Sequence, residues 1–390
     1  MNQQASPIDG KRRLEWIDAA RGFAIFGIFI VNVGSFSAPY FLYGGGEEAW
    51  PAPIDQMTQT LIDIFFQASF YTLFSILFGF GFQLLIDRTR KKMNHITPFL
   101  LRRLLILIGF GLVHAFLVWH GDILLSYGII GLLLLAFIGV KDRTLLVWAG
   151  IIFFGFISFF SFSLFMVRDL LGGAITPAIE QALMNYQSSS IMTIWEQNYN
   201  DWMAGNAGGL GIIMIGTVIL PLFLFGMYMA RKRWFHEPKR YRSVLVKLAV
   251  VSFILFVGFK MVPHLFGNPI WFSQIQDNLG GAASALFYMS VITLIAGSNL
   301  GMKLIKPFTY VGRMALTNYI FQSIISIILF YGIGFGLYGS VRPIAAVFIV
   351  IVIYTFQVLA SKWWFNHFRF GPLEWIWRSL NYKKKQPFRK

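Results

Sequence analysis

The chain contains no cysteine, so disulfides and thiolate metal sites are excluded and redox chemistry gives no clue to compartment. Charge is scarce as well: 13% of residues are Asp, Glu, Lys or Arg, against roughly a quarter in soluble domains. The charge that remains leans one way, with 33 Lys and Arg against 17 Asp and Glu. No Walker A sequence, GxSxG or HExxH occurs, so nucleotide hydrolysis, a serine-hydrolase elbow and a zincin have no support. No metal site is expected.

What is abundant is apolar side chain. Hydrophobic residues make up 56% of the chain and mean hydropathy is +0.63, the composition of an integral membrane protein. Runs of about 20 apolar residues are long enough to cross a bilayer as helices. Ten such runs stand at 17–37, 61–85, 99–119, 122–140, 144–166, 207–230, 244–266, 281–298, 314–336 and 342–362. The fold expected is all-α with about ten transmembrane helices. The first run follows Lys11, Arg12 and Arg13, but it is too long for a signal peptide and lacks a small-x-small cleavage pattern, so it reads as an uncleaved span.

With the N-terminus inside, 30 of the 33 basic residues fall on one side of this topology. Arg168 and Arg342 fall outside, and Lys260 lies within a span. Cytoplasmic loops concentrate Lys and Arg, so both termini are expected in the cytoplasm. The net charge of +16 then signals orientation and attraction to anionic membrane lipids, and nucleic acid is not an expected partner. Two outer segments are long. Residues 38–60 include Gly44, Gly45, Gly46, Glu47 and Glu48. Residues 167–206 contain IMTIWEQNYNDWM, expected as an interfacial helix because Trp195, Tyr199 and Trp202 follow helical spacing. That segment separates a five-span half at 1–166 from a second half at 207–390 that ends in a basic tail. A homo-oligomer would be ordinary for such a chain.

Polar residues inside spans are costly and mark candidate sites. In the first span Asp18, Arg21 and Asn32 share one helix face, since eleven residues of α-helix return to within about 20° and rise about 16 Å. Arg103 and His114 repeat that spacing in the third span, with Arg102 beside them. His120 and Asp122 follow at a turn through Gly121. Imidazole titrates near neutral pH and a carboxylate can orient it, so His114 or His120 with Asp122 suits general-base work. Arg102 and Arg103 read equally as ordinary inside-positive residues. Asp63 opens the second span, either as a carboxylate favoured by the helix dipole or as part of a site. Lys260 and His264 stand one helical turn apart, the lysine either snorkelling outward or facing the interior. Arg313, Asn318 and Gln322 form a polar stripe in the ninth span. Glu374 and Arg378 have the i,i+4 spacing of an ion pair on a short Trp-rich helix.

The motifs RGFAIFGIFIVN, LFSILFGFG, RR…H…GDILLSYG, GRMALTNY and GPLEWIWR resemble the bacterial YeiB-like membrane proteins, the domain of unknown function 418 family. The resemblance covers nearly the whole chain, with residues 230–385 as the namesake domain. The N-terminal part also resembles the transmembrane acyl-transferases that include heparan-α-glucosaminide N-acetyltransferase. Those enzymes carry an Arg, ten residues and an Asn, here Arg21 and Asn32, and the related acyltransferase-3 proteins place a catalytic His at the position of Asn32. The loop histidine of the heparan enzyme has no counterpart, because residues 33–60 contain no histidine, which leaves the role to His114 or His120.

The resemblance implies a bacterial cytoplasmic (inner) membrane enzyme taking cytoplasmic acyl-CoA, acetyl-CoA foremost, to a small-molecule, glycan or lipid acceptor at the outer face. On that basis Arg21, Arg102 and Arg103 would bind the CoA phosphates. Asn32 would stabilise the oxyanion, and His114 with Asp122, or His120, would supply the base. A transporter with a polar intramembrane pathway is the alternative.

Overall fold

The computed structural model describes residues 14–43, 49–91, 95–170, 176–206 and 210–390. The Gly44–Glu48 stretch and Lys11, Arg12 and Arg13 lie outside the described residues. Within them the chain is helical, and Phe368 and Arg389 form an isolated bridge. The long helices are α1 (Glu15–Ser37), α3 (Ser69–Arg90), α4 (Thr97–Leu117), α6 (Asp142–Met166), α9 (Leu210–Lys232), α10 (Arg242–Phe266), α11 (Ile270–Ile295) and α14 (Pro343–His367). Shorter ones are α2 (Pro53–Phe65), α5 (Leu124–Phe137), α7 (Thr176–Tyr186), α8 (Ile191–Gly205), α12 (Asn299–Arg313), α13 (Ala315–Phe330) and α15 (Pro372–Tyr382). Among the described residues eight segments are long and apolar enough to cross a membrane, α2 and α3 counting as one of them, or nine if the bent pair of α12 and α13 is one span.

Four of the ten expected spans come out differently, and one of these, the run at 281–298, lies in α11, which begins earlier, at Ile270. The run at 61–85 begins earlier, at Pro53, and is broken between α2 and α3, where Ala68 takes a left-handed conformation with φ of 57°. The run at 122–140 is only the short α5, whose residues rise about 21 Å against a hydrocarbon core of about 30 Å. The run at 314–336 is the second arm of a bent pair: α12 and α13 meet at 77° about Met314, whose φ of −127° and ψ of 48° end one helix and start the next. The segment IMTIWEQNYNDWM is helical, as α8, its start capped by the Ser190 hydroxyl accepting from the Thr193 amide.

Helix contact here rests on close backbone approach, as lipid supplies no hydrophobic drive between spans. α1 crosses α12 where Gly22 faces the Phe308 carbonyl and Gly312 faces the Asp18 carbonyl, with no room for a Cβ at either. α3 meets α9 the same way, through Gly79 and Gly226. Outward faces remain apolar: Phe154, Phe159 and Phe162 on α6 and Phe348, Val352 and Phe356 on α14 are well exposed, as suits surrounding acyl chains.

Basic helix ends tie to neighbouring ends. Arg231 at the end of α9 donates to the Val140 carbonyl at 2.5 Å, and Lys232 lies 3.1 Å from the Asp142 carboxylate that opens α6. Carboxylates from remote segments cap other starts: Asp55 of α2 accepts from the Ile344 amide at the head of α14 and pairs with Arg342 at 2.7 Å.

Candidate functional site

α4 carries His114 in its last turn, and the chain then turns through Trp119–Asp122 into α5. The Asp122 carboxylate serves both sides of that turn. Its Oδ2 accepts from the Leu125 amide at 2.6 Å, satisfying an open donor at the start of α5, and its Oδ1 lies 2.7 Å from His114 Nδ1. A carboxylate accepts only, so Nδ1 carries a proton toward it, and in the neutral imidazole Nε2 then presents a lone pair. That lone pair meets the Ser323 hydroxyl of α13 at 2.8 Å. The side chains are 1% exposed for His114 and 0% for Asp122, and Ser323 is 1% exposed, so the row is closed to water. The Tyr319 ring lies 5.0 Å from the imidazole. Its hydroxyl faces the Ile123 amide and the Asp122 carboxylate without reaching hydrogen-bond geometry, and the Ser326 hydroxyl on the same helix is buried with no partner among the described residues. Buried hydroxyls normally find partners, so two without one on the helix that bears Ser323 are unusual.

Both helices bearing the row are clamped by α15. On α4, the Trp377 indole donates to the Arg103 carbonyl at 3.0 Å, its ring lies 4.0 Å beneath the Arg103 guanidinium, and Arg102 donates to the Asn381 carbonyl at 2.7 Å. On α13, Glu374 accepts from the Leu316 and Thr317 amides at 2.8 and 3.1 Å and from the Thr317 hydroxyl at 2.6 Å, capping the helix at its bend. The expected Glu374–Arg378 pair is therefore not the arrangement: Glu374 is taken by α13 and Arg378 lies over the Phe370 ring at 4.7 Å. Open donors at a helix start attract a carboxylate more strongly than one exposed cation does. At its far end α4 is held by α8, where Asn198 donates to the Ala115 carbonyl at 2.7 Å and Trp195 to the Leu117 carbonyl at 3.0 Å.

The three arginines have distinct settings. Arg21 is 33% exposed and lies 3.8 Å from Asp18, which is buried. Arg21 and Arg378 both lie near enough to Arg103 for their charges to repel it. Arg102 is committed to the α15 carbonyl. Asn32 is half-buried, and no hydrogen bond joins it to the His114 row among the described residues.

His120 is separated from His114. It meets the Tyr186 hydroxyl at 3.1 Å, which in turn donates to Asp201 at 2.6 Å, tying the α4–α5 turn to α7 and α8. Burial pushes its pKa below the usual value, with Asp201 opposing. Asp63 and His264 come together at 2.9 Å, joined by Gln276 at 2.7 Å. Lys260 does not snorkel: it is 0% exposed and bonds Asp277 at 3.0 Å, between two π-helical turns at Val257–Met261 and Gln276–Gly280. Asn318 and Gln322 face α14, bonding Ser361 and Gln357, while Arg313 lies over the Phe365 ring at 3.8 Å. Among the described residues no three His, Asp or Glu side chains gather as a metal site.

Sequence reasoning brought out His114 and Asp122 and missed Ser323, Tyr319 and Ser326. Their i, i+4, i+7 spacing is legible, but serines in spans ordinarily bond their own helix and so carry no signal.

Fold and site thus define a multi-pass α-helical membrane protein with a buried His–Asp–Ser row between two helices fixed by a C-terminal clamp. Residues 229–384 match the family described as "Protein of unknown function (DUF418)". The chain is 34% identical over 396 residues to the uncharacterized protein YxaH of Bacillus subtilis (strain 168), covering 97% of this chain and 96% of that one. It is 28% identical over 400 residues to the uncharacterized protein YeiB of Escherichia coli (strain K12), covering 95% and 97%. The chain belongs to this DUF418, YeiB-like family. No solved structure matches it.

Proposed function

We propose that the protein is a membrane-embedded acyltransferase that uses His114, held by Asp122, as its general base. The observation that carries this reading is the buried His114 with Nδ1 bonded to Asp122 and Nε2 turned to a hydroxyl 2.8 Å away. That is the tautomer and polarity required to remove a proton from an attacking oxygen or nitrogen. Arg21 and Arg103, with Arg378 beside them, offer concentrated positive charge for the phosphates of a cytoplasmic acyl-CoA, acetyl-CoA foremost. On this reading the protein works in the bacterial cytoplasmic membrane, and the acceptor is a small molecule, glycan or lipid reached from the outer face.

The test is release of free CoA from acetyl-CoA by the purified protein in nanodiscs. The expected result is turnover that falls at least about 100-fold in His114→Gln, the scale of a lost general base. Turnover unaffected by that change, or none in the wild type, sinks the reading.

A transporter is the second reading, favoured by the Asp63–His264–Gln276 group and the buried Lys260–Asp277 pair beside two π-helical turns, which recur at functional sites. Solute flux into proteoliposomes without acyl-CoA, lost in Asp63→Asn, distinguishes it.

A further inference from the structure

We infer that Ser323 is a nucleophile that carries the acyl group as a covalent ester before it reaches the acceptor. The inference rests on the acyltransfer reading for its donor, but the reactivity of Ser323 is testable apart from CoA.

Other buried hydroxyls in this protein send their hydrogens into their own helices. Ser75, Ser252 and Thr293 donate to the carbonyl four residues back at 2.8, 2.6 and 2.7 Å, the usual solution within a helix. Ser323 does not. Its distance to the Tyr319 carbonyl is 3.5 Å, at the limit of a hydrogen bond, whereas His114 Nε2 is 2.8 Å away. In the neutral imidazole with Nδ1 protonated toward Asp122, Nε2 accepts and the Ser323 hydroxyl is the donor. A serine donating to an imidazole that is itself held by a carboxylate is the arrangement that activates a hydroxyl for attack on a carbonyl. One helical turn back, the Tyr319 ring packs 5.0 Å from the imidazole and helps to fix its plane.

The chemistry closes without any further reagent. Ser323 Oγ attacks the thioester carbonyl while His114 Nε2 takes its proton. The carbonyl π-electrons move onto oxygen. Collapse breaks the carbon–sulfur bond, and the departing thiolate takes the proton from the imidazolium, leaving free CoA and acyl-Ser323. The acceptor hydroxyl or amine then gives its proton to Nε2 and attacks the ester, and Ser323 leaves with that proton.

The full-length protein in nanodiscs is incubated without acceptor, once with acetyl-CoA and once with p-nitrophenyl acetate, and peptides containing residue 323 are read by mass spectrometry. The expected result is one acetyl group on Ser323 from both donors, absent in His114→Gln and moved to the thiol in Ser323→Cys. Acetylation by p-nitrophenyl acetate alone keeps Ser323 as nucleophile and removes acyl-CoA as donor. Unmodified Ser323 with both donors overturns the inference. If CoA is still released once acceptor-containing membrane extract is added and Ser323→Ala retains that turnover, the acyltransfer reading survives with direct transfer; if none is released then either, both fall. The adduct is read in the wild type, so the outcome does not depend on how the variants fold.

Discussion

The Glu374 carboxylate accepts the Thr317 hydroxyl at 2.6 Å, joining α15 to the bend at which α13 begins. The same carboxylate takes two amides of that helix start, so its loss opens three donors at once. Glu374→Ala is expected to lower stability by about 1–3 kcal/mol, the range for a lost cap and unsatisfied donors, and Glu374→Gln by less because one oxygen still accepts. Thermal unfolding in detergent measures both. Equal losses in the two variants would mean that the cap is not what Glu374 supplies.

Trp377 bridges from the other side of the clamp, donating to the Arg103 carbonyl and supporting its guanidinium. Trp377→Phe keeps a ring for the cation and loses the indole donor; Trp377→Ala loses both. The predicted order of melting temperature is wild type, Phe, Ala, with a cation–π share of about 0.5–2 kcal/mol. If α15 aligns α4 with α13, CoA release should fall in the same order at unchanged expression.

Burial lowers the pKa of His120 from the ordinary 6.5, and does the same to His236 in the α9–α10 loop, where Arg233 adds to the effect. Both imidazoles are thus harder to protonate folded than unfolded. As pH falls through 6.5 the unfolded chain takes up protons that the folded chain resists, so their contribution to stability is present above that pH and lost below it. Unfolding followed from pH 8 to 5 should show this slope, and His120→Gln, which can still meet Tyr186, should flatten part of it. A stability that rises on acidification would contradict the assignment.

The crossing of α1 and α12 at Gly22 and Gly312 predicts a steric signature. A methyl group at either would overlap a backbone carbonyl of the other helix, which has no rotamer by which to yield. Gly22→Ala or Gly312→Ala should therefore cost several kcal/mol, on the order of 1–3 for an overpacked site and more where backbone must move. Gly109, with no atom near its Cβ position, serves as the control and should tolerate Ala.

What could be seen beforehand follows the physics of each part. Span positions depend on apolar composition, which placed α1, α4, α6, α9, α10 and α14 near where they lie. His114 and Asp122 are eight residues apart across one turn, so their meeting was legible. Ser323 is 209 residues from His114, and only the bend at Met314 and the α15 clamp bring it there. Met314 is neither Gly nor Pro, which is why the bend left no mark in the apolar run. His120 looked equivalent to His114 because its partners, Tyr186 and Asp201, come from the α7–α8 segment.

The Lys260–Asp277 pair allows a directional test, because its two ends differ in exposure. The Lys260 side chain is 0% exposed and Asp277 33%. Removing a partner leaves the other charge behind, and the cost depends on how far that charge is from water. Asp277→Asn strands a fully buried ammonium, at about 3–5 kcal/mol for an uncompensated buried charge. Lys260→Met strands a carboxylate that solvent partly reaches, so its cost should be smaller. The double variant removes both charges and should recover most of the loss, since two neutral side chains in that packing leave no charge unpaired. Equal penalties for the two single changes, or no recovery in the double, would show that the ion pair does not govern stability at the π-helical turns.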